Sequence, residues 1–400
     1  MAELAISMAN TAPSEAFDEA HFVADVRAFL ARALTEDLRE AGRATIGVHA
    51  DIAVCRIWHR RLFERGWIAP AWPRAWGGAG WGPRQRFLFD RECAANDAPI
   101  LFAGGLRSVG PLLIEMGTQR QRSRYLPAIL SGDDLWCQGF SEPGAGSDLA
   151  AISTRAERRN DDYVVNGSKI WTTGAHHSNR MFAIVRTQDG ERRQQGLTFL
   201  LIDMDSPGLS VAPILGLAGE HEFNQVFFDD VRVPVAGRVG AENEGWAVAK
   251  RLMQLARANN TPAALLRRVL RRATQAVAAV DREQAPMLRS RLAALEIELL
   301  AFEQLELAAL PSGRPGGADQ TTPSMLKLIG SELHQKIAEL IVEAAGPYAA
   351  AAWGARGLAG DDVDLGARAM GKHLAVRAAT IYSGTSETQR NVIARQLLAL

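Results

Sequence analysis

Cys137-Gln-Gly-Phe-Ser-Glu-Pro-Gly-Ala-Gly-Ser-Asp148, followed by Lys169-Ile-Trp-Thr-Thr-Gly174, decides the reading of this chain. From Leu135 the texture is that of β structure. Tyr163-Val-Val-Asn-Gly-Ser-Lys-Ile-Trp171 predicts a strand, an Asn166-Gly167 turn of type I′ and a second strand. Short β-rich runs at 181–186, 197–204 and 223–233 continue the pattern, punctuated by Ser206-Pro-Gly208. The expectation is a small β domain over residues 133–236.

The flanks read differently. Residues 1–132 form an expected N-terminal helical domain, with Phe22, Val26, Phe29 and Leu30 on one helix face. A Gly- and Pro-rich stretch from Ala69 to Pro83, carrying Trp72, Trp76 and Trp81, interrupts the helices as a packed loop. Residues 237–400 are helical again. Leu288, Leu292, Leu295, Leu299 and Phe302 form one stripe, and Leu328, Leu333, Ile337, Leu340 and Ile341 belong to another that starts at Thr322-Pro323 and stops at Gly346-Pro347. Pro311-Ser-Gly-Arg-Pro-Gly-Gly317 is expected as the loop between them. The fold class is mostly α with a central β domain, and stripes of this length favour a bundle and an oligomer face over a ligand pocket.

Lys plus Arg and Asp plus Glu both number 45, so no bulk field draws the chain to nucleic acid or an anionic membrane. Arg267, Arg268, Arg271 and Arg272 are read as a solvated helix face, with a phosphate contact as the alternative. Three cysteines without CxxC spacing suit a reducing compartment. No secretory signal or membrane-spanning apolar run is recognisable, so a soluble, cytoplasmic protein is expected. His176 and His177 are read as a solvent-facing pair, and no spacing supports a metal site.

With Trp72-Pro73, Trp76-Gly-Gly78, Phe223-Asn-Gln-Val-Phe-Phe-Asp-Asp-Val-Arg-Val-Pro234, Asn243-Glu-Gly-Trp246 and Gly384-Thr-Ser-Glu-Thr-Gln-Arg-Asn391 in order, the chain resembles the acyl-CoA dehydrogenase family over nearly its whole length. The resemblance implies an N-terminal helical domain, a β-barrel-like middle domain and a C-terminal four-helix bundle, with FAD as cofactor. By resemblance Gln138, Phe140 and Ser141 line the isoalloxazine edge, whose hydrogen bonds set how readily it accepts a hydride. Gly146 and Ser147 meet phosphate, Ser147 also touches the CoA part of the substrate, Trp171 packs near the ring and the Thr173 hydroxyl reaches N5. Thr385 and Glu387 match flavin or diphosphate contacts, and Arg257 a substrate-orienting position. The implied reaction is α,β-dehydrogenation of an acyl thioester, with electrons leaving to an electron-transfer flavoprotein.

Two departures matter. Where many members hold the FAD diphosphate with an Arg followed by Phe-Gly, this chain has Arg267-Arg-Val-Leu-Arg-Arg-Ala273. The run Ser324-Met-Leu-Lys-Leu-Ile-Gly330 and the phrase Cys137-Gln-Gly-Phe-Ser141 are similar to a bacterial branch working on bulky, cyclic or steroid-derived thioesters, often as mixed tetramers in which one chain commonly lacks the Phe-Gly motif, so a homo- or hetero-tetramer is expected. The second departure concerns the base that takes the α proton. Both positions that usually carry a glutamate are replaced, by Ser383 and Ala256. The sequence leaves three readings: a relocated base, with Glu222 as the candidate beside Glu220, Asp97 and Glu244; a partner chain that supplies it; or a flavin oxidase or oxygenase of specialised metabolism.

Overall fold

The structure, a computed structural model, describes residues 17–255, 261–280, 285–310, 321–354 and 363–398. The N-terminal part holds α1 (Glu19–Ala33), α2 (Glu36–Ala44), α3 (Ile52–Glu64), α4 (Pro83–Ala95), α5 (Gly110–Met116) and α6 (Gln119–Ser131). Each start has a local cause: Asp18 and Asp51 accept backbone N–H groups at the heads of α1 and α3, and Thr118 with Gln121 forms a capping box on α6. A π-turn over Gly105–Val109 leads into α5. Trp72 from the Gly/Pro-rich loop is buried, and its indole N–H donates to the Leu106 carbonyl at 2.9 Å.

The middle part is one eight-stranded sheet: β1 (Trp136–Gly139), β2 (Arg155–Arg159), β3 (Asp162–Lys169), β4 (Arg180–Arg186), β5 (Leu197–Asp203), β6 (Leu209–Leu215), β7 (His221–Pro234) and β8 (Arg238–Val239). The main path runs β6-β7-β3-β2-β4-β5-β8, with β1 paired in parallel to β4. Both faces of its centre are covered, which explains why β4 and β5 are almost continuously apolar instead of alternating. Phe182, Ile184, Phe199 and Leu201 join the core shared with the N-terminal helices and the next helix of the chain, while Met181, Ala183, Val185, Leu200 and Ile202 fill the opposite side.

Asn166-Gly167 is not the expected hairpin turn. β3 runs straight through it with a register break between Val165 and Gly167, and the β2–β3 hairpin turns instead at Asn160-Asp161, with Asn160 at φ 58°. Gly167 is at φ 139°, and a Cβ there would lie 2.8 Å from the Thr154 backbone, so glycine serves a bulge and a close approach.

The C-terminal part comprises α7 (Gly245–Leu255), α8 (Ala263–Ala278), α9 (Ala285–Ala308), α10 (Thr321–Ala345), α11 (Pro347–Gly354), α12 (Val363–Ala375) and α13 (Ser386–Leu397). The predicted stripes of α9 and α10 meet α8 in a separate core; the predicted loop 311–317 lies outside the described residues. The α8 arginines are not a solvated face. Arg268 is 4% exposed and donates to the Ala98 carbonyl at 2.8 Å; Arg271 pairs with Asp97 at 2.7 Å, Arg272 reaches the Gly42 carbonyl, and Arg267 pairs with Glu303. The guanidinium groups of Arg268, Arg271 and Arg272 meet carbonyls at the ends of α2 and α4 and so bind α8 to the N-terminal helices, while Arg267 joins α8 to α9. No described helix is long and apolar enough to cross a membrane.

Candidate functional site

The sheet brings the two opening segments edge to edge. The Ile170 N–H donates to the Ser141 carbonyl at 2.9 Å, so Ser141 lies next to the approach to Trp171. Behind them Lys169 extends into the core, donating to Glu142 at 2.8 Å, to the Ile184 carbonyl at 2.7 Å and to the Phe140 carbonyl at 3.2 Å. Burial pulls the Lys169 ammonium down to about 8 despite Glu142. Burial also opposes ionisation of Glu142, yet Lys169 and donors from Ser153 and Thr154 outweigh it and hold the carboxyl below its usual range. The pair is therefore ionised at neutral pH, with its charges spent on fixing the turn.

Gln138 is the outward residue of β1. Phe140 is buried with its ring against Phe182 and Phe199, so only its backbone can face a ligand. Trp171 is 58% exposed, its ring touching Phe223 edge-on, and its backbone is left-handed at φ 59°. A bulky residue held there, with an indole face open, is a strained feature of the kind that clusters at ligand sites. Thr173 follows, between Thr172, whose N–H donates to the Asn224 carbonyl at 3.0 Å, and Gly174, whose N–H donates to the Glu222 carbonyl at 2.9 Å.

Beyond Ser141 the chain closes a small loop in which Glu142 and Ala145 exchange backbone hydrogen bonds at 2.9 Å. Cβ atoms added at Gly144 or Gly146 would meet nothing within 4 Å. Gly146 and Ser147 are exposed, and Asp148 pairs with Arg193 at 2.5 Å, linking this loop to the β4–β5 connection. That connection borders an open cleft of about 750 Å³ walled by Arg192, Gln195, Asn243, Glu244 and Trp246. Trp171 and Thr173 are not among its walls.

At the head of α13, Thr385 caps the helix by accepting from the Thr388 N–H at 3.1 Å, and Glu387 is exposed in the first turn. Two donors nearby in sequence or charge are orphaned: the Ser386 hydroxyl and the Lys327 ammonium are buried without a hydrogen-bond partner, although Lys327 feels the Glu387 carboxylate. Buried unpaired donors ask for an explanation, and a helix head with a lysine favours an anion. The unpaired Ser386 hydroxyl and Lys327 ammonium are donors that suit a phosphate, and the open indole of Trp171 is a surface that suits a flavin ring, so the chemistry of the residues present fits a flavin nucleotide.

The two positions at which the resemblance led to an expected glutamate, 256 and 383, carry Ala and Ser. Ser383 is exposed at φ 54°, while Ala256 and Arg257 lie outside the described residues. Of the candidate bases, Asp97 is engaged by Arg271, and Glu244 borders the open cleft. Glu222 accepts from the Val48 N–H at 2.6 Å, and Lys372 donates to the Ile46 carbonyl at 2.8 Å on the same segment. Burial, then Glu222, push the neighbouring Glu220 carboxyl up to about 7, with Lys372 opposing. Burial and Glu222 also push the Tyr382 phenol, next to Ser383, up to about 12. Tyr382 and Lys372 are both half-buried.

His176 and His177 are half-buried in a 3-10 turn, not solvent-facing. His176 stacks on His221 with centroids 3.7 Å apart and lies 3.8 Å from His177. A turn puts adjacent side chains together where an extended chain would separate them. No metal-holding group of His, Cys, Asp and Glu occurs among the described residues. Sequence reasoning also missed Lys169, Glu142, Lys327 and Asn224. An asparagine inside an otherwise apolar strand was the available signal for the last.

Family models of acyl-CoA dehydrogenase match in chain order: the N-terminal domain over 17–133, the middle domain over 137–231 and the C-terminal domain over 243–398. The acyl-CoA dehydrogenase IpdE1 of Mycobacterium tuberculosis is 37% identical over 354 residues, covering 86% of this chain and 88% of that protein. Among solved structures, the Tcur3481–Tcur3483 steroid ACAD superposes with a TM-score of 0.81 at 27% identity, covering 95% of this chain and 97% of that one. The ChsE4–ChsE5 complex from Mycobacterium tuberculosis gives 0.81 at 28%, covering 96% and 99%.

Proposed function

The chain belongs to the acyl-CoA dehydrogenase family, whose general function is FAD-dependent dehydrogenation, and from that premise we propose that it binds FAD between the sheet and the C-terminal helices and works on an acyl-CoA or related thioester. The observation that carries this reading is Trp171: a left-handed, open indole beside the Ser141 edge, with Thr173 pinned just beyond it. FAD, when bound, supplies a hydride acceptor at N5. Gln138, Ser141 and the Phe140 backbone orient the ring edge, Trp171 covers a face, and Lys327, Ser386 and Thr385 with the α13 head hold phosphate. The cleft beside Arg193 and Ser147 takes the CoA handle, where Arg192 offers a cation to phosphate.

Within this chain the proton acceptor we favour is Glu220, not Glu222. Glu222 already accepts the Val48 N–H through one oxygen, whereas burial and Glu222 raise the Glu220 carboxyl to about 7, in the neutral range where general bases are most effective. A second reading has its own support: Ser383 holds no carboxylate, and the ChsE4–ChsE5 and Tcur3481–Tcur3483 relatives are named as pairs of chains. In it the chain is one subunit of a mixed tetramer whose partner carries the base. Either way electrons leave to an electron-transfer flavoprotein.

The test is purification of the chain alone and with a related chain, followed by anaerobic titration with acyl-CoAs. A yellow protein whose flavin bleaches is expected, and Trp171→Ala and Ser141→Ala should change the flavin spectrum or its retention. A protein that gains no flavin absorbance from excess FAD in either form overturns the reading.

A further inference from the structure

Asn224 of β7 has no solvent exposure, and its side chain meets three groups. Its amide donates to the Thr172 carbonyl at 2.9 Å and faces His176 Nδ1 at 3.0 Å, while its Oδ1 faces His221 Nε2 at 2.7 Å. The Thr172 carbonyl can only accept, so the atom facing it is the NH₂ group, which fixes the amide's orientation. Oδ1 then requires a proton on His221 Nε2. The remaining amide hydrogen requires a bare Nδ1 on His176, and so a neutral ring protonated at Nε2. The Asn224 carbonyl also accepts the Thr172 N–H, so one residue holds both backbone groups of Thr172.

We propose that Asn224 is a positioning residue for the flavin-facing loop, and that its amide makes the setting of Thr172 and Thr173 depend on a neutral His176. This rests on the FAD reading only for its consequence at the flavin; the lock itself belongs to the chain. Protonation of His176 at Nδ1 would set N–H against N–H and turn the amide, bringing Oδ1 against the Thr172 carbonyl. The surroundings oppose that protonation. Burial first, then His177, His221 and His49, pull His176 down to about 4 against the raising effect of Asn224. His177 in turn faces His49, Asp51, His221 and Arg56, and its imidazole is held below the usual range chiefly by burial. The lock is therefore closed at neutral pH.

The experiment uses the full chain, with and without FAD. In the wild type the flavin spectrum is expected to be invariant between about pH 5.5 and 8. Asn224→Asp presents only acceptors, repels the Thr172 carbonyl and attracts a proton to His176, so its flavin spectrum should titrate with a midpoint of about 6 or higher. The titration should vanish when His176→Gln is added. Asn224→Ala should weaken FAD binding about tenfold. Thermal unfolding of flavin-free protein reads the lock independently. Its midpoint should fall as pH drops from about 6.5 towards 4, and His176→Gln, whose amide oxygen still accepts from Asn224, should remove that component. An Asn224→Asp protein with a pH-invariant spectrum, or an acid slope unchanged in His176→Gln, overturns the proposal. If no form takes flavin, the function proposed above fails while the unfolding profiles still judge the lock.

Discussion

Lys169 and Glu142 form a fully buried ion pair, Nζ to Oε1 2.8 Å, that joins the turn after Ser141 to the strand leading into Trp171. Each partner also binds backbone: Lys169 holds the Phe140 and Ile184 carbonyls, and Glu142 the N–H groups of Ser153 and Thr154. Removing one partner leaves a buried, unpaired charge, whereas removing both leaves an apolar core. Lys169→Met is expected to cost about 3–5 kcal/mol in urea unfolding. Lys169→Met with Glu142→Leu should recover much of that loss. A single variant as stable as the wild type would show that the pair does not anchor the turn.

Glu220 gives a pH dependence with a defined sign. Its folded pKa is raised to about 7, so it favours the folded state while protonated; that stability is present below the unfolded value and lost as pH rises through about 7. Activity runs the other way if Glu220 is the base, because only the carboxylate accepts a proton. Flavin bleaching by an acyl-CoA should therefore speed up through about pH 7, and Glu220→Gln should slow it by roughly 10²-fold or more and flatten the profile. Glu222→Gln is the comparison: a larger loss there than in Glu220→Gln would return the role to Glu222.

Ser383→Glu restores a carboxylate at a vacated station. Ser383 already accepts a left-handed backbone, and glutamate adds no branching at Cβ to worsen it. If a base is all that limits the single chain, bleaching by linear acyl-CoAs should accelerate by up to about 10²-fold. Ala256→Glu is the companion variant. No gain in either, with full flavin content, would favour the mixed assembly and would be checked by adding a related chain.

On α9, Ile297 is 67% exposed and Leu300 46%, on the side turned away from the α8 and α10 contacts. Apolar residues repeated along one helix face are expected to be covered by another subunit. Sedimentation should show a dimer or tetramer, and Ile297→Asp with Leu300→Asp should lower its mass without unfolding the chain. A wild-type monomer at micromolar concentration with flavin fully bound is the contrary result.

The motifs around Gly144, Gly146 and Trp171 were legible because glycine placement and strand texture are local, and the apolar stripes of α9 and α10 because helical periodicity is local as well. The Asn166-Gly167 turn misled for the reverse reason. That dipeptide suits a hairpin, but β7 and β2 flank β3 on both sides, and pairing along its whole length outweighs the turn preference. The α8 arginines misled similarly, since spacing alone cannot tell water from the carbonyls of Ala98 and Gly42.

Sequence by itself determined the order of helical, β and helical parts, the motifs that carry the family resemblance and the absence of glutamate at 256 and 383, since each is a matter of residue identity and local pattern. Only the tertiary structure decided which polar groups are spent and which are free. Glu222 against Val48, Lys169 against Glu142 and Asn224 against His176 join residues far apart in the chain, and the burial that leaves Lys327 without a hydrogen-bond partner is equally a product of packing. A side chain's protonation and availability depend on what burial brings against it, and that is a property of the packed molecule.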